Sequence, residues 1–120
     1  MLQEKPINLQ LAQLVLKNML QETSKIISVE MVQQIVCDHF KINANDLKNN
    51  KRTKNFVLPR QIAMYLTRHL TRHSLPEIGK AFGGKDHTTV LYACKKIEES
   101  LTHEGEIKYI VEKLFTILKQ

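Results

Sequence analysis

The sequence is poor in the residues that break or punctuate a chain, with four glycines and three prolines in 120 positions. Together with a charged share of 25%, that scarcity excludes a collagen-like or wholly disordered chain. Cysteine is scarce as well. The two present, Cys37 and Cys94, sit in helix-like apolar patterns rather than at the spacing of a disulfide framework. They read as small buried apolar residues in a reducing, cytoplasmic setting. Long apolar runs are missing: stretches such as Leu14–Leu16 fall far short of a membrane span. No charged n-region leads into an apolar h-region, so nothing reads as a secretory signal. What is there is a 42% hydrophobic share, enough to build the core of one compact domain.

Acid is also scarce, but only in the middle. Of 18 basic and 12 acidic residues, eight basic ones (Lys41, Lys48, Lys51, Arg52, Lys54, Arg60, Arg68, Arg72) and only Asp46 lie between Lys41 and Arg72. That leaves ten basic against eleven acidic residues elsewhere, so the middle carries the whole excess of +6. A basic segment in an otherwise balanced domain points toward a polyanion, although a merely solvated face would look the same.

Val, Ile and Thr form no alternating runs, and the apolar positions follow the helical period. Asn8 can cap a helix over about 9–21, followed by a polar break at Glu22–Lys25. Ser28 caps a second helix, with Val29, Val32, Ile35, Val36 and Phe40 on one stripe. A short helical turn follows Asn43 and ends near Lys48, and Asn49–Phe56 reads as a polar, basic loop. Pro59 suits the first turn of a helix that runs to about His73 and buries Ile62, Ala63, Leu66 and Leu70. Ser74-Leu75-Pro76-Glu77 is a capping box opening a short helix, which Gly83-Gly84 stops after Phe82. Asp86 can cap the next helix, which buries Val90, Cys94, Ile97 and Leu101. After Gly105 a last helix carries Ile107, Ile110, Val111, Leu114 and Leu118. The expectation is an all-α domain of about six or seven helices.

A short capped helix, a glycine turn and a longer helix opening on small polar residues make the layout of a helix-turn-helix. In that motif the N-terminal residues of the second helix meet base edges in the major groove. Here they are Lys85, Asp86, His87, Thr88 and Thr89. His87 can donate or accept, Asp86 can accept from a cytosine amine, and threonine methyls can pack on thymine methyls. An ordinary αα-hairpin with a polar cap would explain Asp86 as an N-cap alone.

The residues then become more specific. Leu75-Pro76-Glu77-Ile78-Gly79, Phe82 through Leu91 (FGGKDHTTVL) and Ala93-Cys94-Lys95-Lys96-Ile97 strongly resemble the signature of the bacterial chromosomal replication initiator (DnaA) family. Pro59-Arg60-Gln61-Ile62-Ala63-Met64-Tyr65-Leu66 resembles the same family's other strong block. The likeness runs from about Ser28 to the end and covers the family's C-terminal origin-binding domain, with a Trp-repressor-like helix-turn-helix. Residues 1–27 resemble the last helix of the family's ATPase lid and its connector.

The resemblance implies sequence-specific binding of double-stranded DNA at a replication origin, at asymmetric, A/T-rich boxes of the TTATNCACA type. It implies that Asp86, His87, Thr88 and Thr89 read major-groove bases while Arg52 enters the neighbouring minor groove, where narrow A/T tracts concentrate negative potential. It implies backbone contacts for Arg60, Gln61, Leu75 and Pro76, and for Lys54, Arg68 and Lys85 besides. Lys85 stands where the family usually has arginine, so the charge stays and the bidentate fork is lost. Tyr92 replaces a common histidine, and Asn49 and Asn50 stand where the loop often has more cations. The expected chain is bacterial, nucleoid-associated and not an enzyme. It needs no cofactor of its own, since ATP belongs to the ATPase domain of the full-length initiator, through which other initiator copies would be met.

Two motifs compete for other functions. Gly79 through Asp86 satisfies G-x-x-x-x-G-K but lacks the final Ser/Thr and a preceding strand, and Asp86 would repel phosphate. His69 and His73 stand four apart on one helix, with no HExxH glutamate and no third ligand at telling spacing. Two rival functions fit the same residues. One is a repressor-like helix-turn-helix reading a palindrome as a dimer; the other is a module whose basic segment meets an acidic protein partner.

Overall fold

A computed structural model describes residues 26–120, apart from the side chain of Lys54. The helix expected over 9–21, and the lid-like segment 1–27 but for Ile26 and Ile27, lie outside the described residues. Six helices and no strand make up what is described.

The first helix, α1 (Val29–Phe40), starts where the Ser28 hydroxyl accepts from the Met31 N–H at 3.1 Å, one of the four donors a helix start leaves unpaired. Its inward stripe buries Val29, Val32, Val36 and Cys37. The short α2 (Ala44–Lys48) opens with the Asn43 N–H donating to the Asp46 carboxylate at 3.0 Å, and buries Leu47. Next comes α3 (Lys54–Leu70), which packs against every other described helix. Its Ile62, Ala63, Met64 and Leu66 are buried, each large apolar side chain contributing about 1.5–3 kcal/mol.

Two bounds of α3 differ from expectation. The helix begins at Lys54, not at Pro59, so the loop is only 49–53. Thr53 takes an extended conformation and its carbonyl accepts from the Phe56 and Val57 N–H groups, which nucleates the first turn. The consecutive half-buried Phe56, Val57 and Leu58 draw that turn onto the core. Pro59 therefore sits inside the helix. The carbonyl left without a donor is that of Asn55, an exposed residue in the first turn. At the other end α3 stops at Leu70, because Thr71 turns extended and its hydroxyl donates back to the Thr67 carbonyl at 2.6 Å.

The remaining helices are α4 (Leu75–Ala81), α5 (His87–Ser100) and α6 (Glu106–Lys119). Ser74 and Glu77 close the expected capping box on α4, with Ser74 N–H to Glu77 Oε1 at 2.7 Å and Glu77 N–H to Ser74 Oγ at 3.3 Å. Buried Gln33 of α1 donates its side-chain amide to the Ala81 carbonyl at 3.1 Å, so the far end of α4 is also satisfied. Beneath α5, Val90, Ala93, Cys94 and Ile97 are buried against the core. Leu101 is only half-buried and caps the helix. Cys94 is fully buried with Sγ 3.9 Å from the Met64 carbonyl oxygen, and burial pushes its thiol up. Cys37 and Cys94 are both free thiols.

Candidate nucleic-acid interface

The helix-turn-helix consists of α4, the turn 82–86 and α5. The turn is held by one oxygen. The Gly79 carbonyl accepts from the N–H groups of Phe82, Gly84 and Lys85, the last at 2.8 Å. Those N–H groups are the kind a phosphate loop would aim at its ligand, and here they are spent inside the turn. Gly83 has φ +86°, and a Cβ there would stand 2.0 Å from the Lys48 carbonyl oxygen. The glycine thus permits both the left-handed backbone and a close approach to the end of α2.

Asp86 occupies the N-cap position of α5, but its side chain does not cap the helix as expected. Oδ1 lies 2.9 Å from Nδ1 of His87, and Oδ2 accepts from the Thr88 hydroxyl at 3.1 Å. The Thr88 hydroxyl and then His87 hold the Asp86 carboxyl below the usual carboxylate range. Asp86, His87, Thr88 and Thr89 are all exposed at the start of α5, so the structure brings the four expected base readers together. Tyr92 is exposed one turn further on.

The loop 49–53 leads away from α2 and holds Lys51, Arg52 and Thr53 exposed. Lys54, the other expected contact of this stretch, is the first residue of α3. Among the expected backbone contacts, Arg68 and Pro76 are exposed, and Gln61 and Leu75 are half-buried. Arg60 and Lys85 are different. Arg60 is 7% exposed and its guanidinium makes four hydrogen bonds to protein oxygens. Nε donates to Leu47 O at 3.0 Å, Nη1 to Lys51 O at 3.1 Å, and Nη2 to Asp46 O at 2.8 Å and Asn49 Oδ1 at 3.1 Å. Lys85 Nζ donates to Lys48 O at 2.8 Å and Phe82 O at 3.1 Å. Burial lowers both cations from their ordinary values; Arg60 adds to the lowering of Lys85, while Asp46 partly offsets that of Arg60. The donors that the resemblance would give to phosphate are thus turned onto the last turn of α2 and the loop after it. With α3 beginning at Lys54, Arg60 is no first-turn residue, which is why its side chain reaches inward.

Asn49 is the residue that sequence reasoning missed. Its Oδ1 accepts from both Arg60 and the Lys51 N–H, an Asx-type turn that shapes the loop from inside. The only sequence signal for it is an asparagine just past a helix end.

Of the two histidines expected on one helix, only His69 lies on α3, and His73 falls beyond its end at Leu70; each stands near a carboxylate. His69 Nε2 is 3.8 Å from Glu98 of α5 and its ring lies 4.3 Å from that of Tyr65, while His73 Nδ1 is 3.7 Å from Glu77.

Comparison with known proteins agrees with this architecture. The family model for the bacterial DnaA protein helix-turn-helix matches residues 29–97. The chromosomal replication initiator protein DnaA of Geotalea daltonii is 52% identical over 108 residues, covering 90% of this chain and 24% of that protein. That of Limosilactobacillus fermentum is 47% identical over 113 residues, 94% of this chain and 26% of that protein. The chain therefore spans about a quarter of the length of these curated relatives. Among solved structures, a crystal structure of a DNA replication initiation factor superposes with a TM-score of 0.68 at 30% identity, covering 88% of this chain and 31% of that one.

Proposed function

The chain belongs to the bacterial DnaA helix-turn-helix family, a DNA-binding rather than a catalytic domain, and from that premise we propose that it recognises replication-origin boxes in double-stranded DNA. The observation that carries the reading is the exposed cluster Asp86, His87, Thr88 and Thr89 at the start of α5, next to a turn in which the Gly79 carbonyl takes the N–H groups of Phe82, Gly84 and Lys85. In this reading α5 enters the major groove and these four side chains meet base edges. Arg52, exposed on the loop after α2, reaches the adjacent minor groove, where an A/T-rich tract attracts a guanidinium. Gln61, Arg68, Leu75 and Pro76 face sugar and phosphate, together with Lys54, and fix register without reading sequence. Two unlike readers in one chain suit an asymmetric site better than a palindrome. ATP and contacts between initiator copies fall to the ATPase domain of a full-length initiator, not to this domain.

The test is fluorescence anisotropy of the chain with a labelled duplex carrying a TTATNCACA box, beside a scrambled duplex, at two salt concentrations. The box is expected to bind tighter by about tenfold or more, roughly 1.4 kcal/mol. Equal and steeply salt-dependent binding to both would mean that phosphate alone is met and would overturn base reading.

A further inference from the structure

The loop that carries Arg52 has little of its own to hold it. Lys51, Arg52 and Thr53 are exposed, and no residue of 49–53 belongs to the apolar core. A loop of this kind would lose much of its binding energy to ordering, unless something outside it had already ordered it.

Two cations supply that order. Arg60, from the second turn of α3, takes the carbonyls of Asp46, Leu47 and Lys51 and the side chain of Asn49, and so grips the loop at both ends. Lys85, from the turn just ahead of the reading helix, takes the Lys48 carbonyl, and Gly83 packs its α-carbon on that same carbonyl. The last turn of α2 is the common anchor, where unpaired carbonyls favour cations. The one acid of the basic segment, Asp46, spends its carboxylate on the Asn43 N–H. It is therefore backbone oxygens and Asn49 that hold these cations.

We propose that Arg60 and Lys85 are positioning residues that tie the Arg52 loop to the turn before α5, so that the minor-groove arm and the major-groove helix meet the duplex as one preorganised unit. This rests on the base-reading roles of Arg52 and His87 proposed above. Arg60 acts through Arg52: its own donors face the protein, and what it supplies is the place from which Arg52 reaches out.

A double-mutant cycle on the 120-residue chain tests it, with binding to box and scrambled duplexes read by anisotropy and folding of each variant checked by circular dichroism. Arg60→Gln is expected to weaken box binding by about tenfold in the wild-type background and by about tenfold again on His87→Ala. On Arg52→Ala, where there is no arm left to position, it is expected to cost no more than about twofold. Lys85→Gln, whose loss spares the α2 carbonyls held by Arg60, is expected to show the same pattern with a smaller amplitude, and it serves if Arg60→Gln does not fold. An equal cost in the Arg52→Ala and wild-type backgrounds, on box and scrambled duplex alike, overturns the proposal and returns these residues to phosphate contact or general stability. A wild-type chain with no preference for the box overturns the base-reading assignment itself. The two failures are thus distinguishable.

Discussion

A histidine reads a base according to which of its ring nitrogens carries hydrogen. In His87 the Asp86 carboxylate stands 2.9 Å from Nδ1, a neighbour that favours hydrogen on Nδ1 and would leave Nε2 as the acceptor of a neutral ring, suited to a cytosine or adenine amine. Asp86 is thus engaged with its own helix through both oxygens before any base arrives. His87→Ala is expected to weaken box binding by about tenfold and leave scrambled duplex nearly unchanged, in a competition assay. Arg68→Ala, by contrast, should weaken both duplexes alike and reduce the slope of log K against log salt by about one. Residue chemistry of this kind was legible in the sequence, because Asp, His and Thr at a helix start announce themselves by position. The commitments of Arg60 and Lys85 were not. Their partners are backbone carbonyls on another element, and a carbonyl has no letter in the sequence.

At the level of elements, the glycine turn and the capping box of α4 have separable energetics. Gly84 has φ +79° with open space around its Cβ position, whereas a Cβ on Gly83 meets the Lys48 carbonyl. Gly84→Ala is expected to cost about 1–2 kcal/mol for the left-handed backbone alone. Gly83→Ala should add about 1–3 kcal/mol of overpacking, visible in urea denaturation. In the capping box, hydrogen bonds with the Ser74 backbone and hydroxyl, with His73 adding, hold the Glu77 carboxyl below the usual carboxylate range. A carboxyl lowered in the folded state stabilises it above the unfolded value, and that contribution fades as pH falls through the folded value. Glu77→Gln should therefore lower Tm at neutral pH and converge with wild type in acid, in thermal melts across pH. Most helices could be found from caps and apolar period, Ser28 and Ser74 being the clearest. The start of α3 could not, since Phe56, Val57 and Leu58 are consecutive and show no period, and Pro59 offered a plausible but wrong first turn.

For the molecule as a whole, the decisive arrangement is that α3 touches every other described helix while both candidate readers hang from its neighbours. The basic excess belongs to the same region, which brings a polyanion toward that side. With Arg52 and α5 meeting different grooves as proposed, sedimentation is expected to show one chain per box. Two chains per box would favour the repressor-like dimer. The clustering of basic residues could be seen in the sequence, but which of them stay free for solvent could not, because that depends on how the end of α2 meets the turn before α5. One feature beneath α5 gives the molecule a built-in clock. Cys94 is sealed between α5 and α3, so a thiol reagent reaches it only when those two helices part. The rate at which that single sulfur is labelled counts the openings of α5, and DNA bound along that helix, as proposed, is expected to slow the count from within.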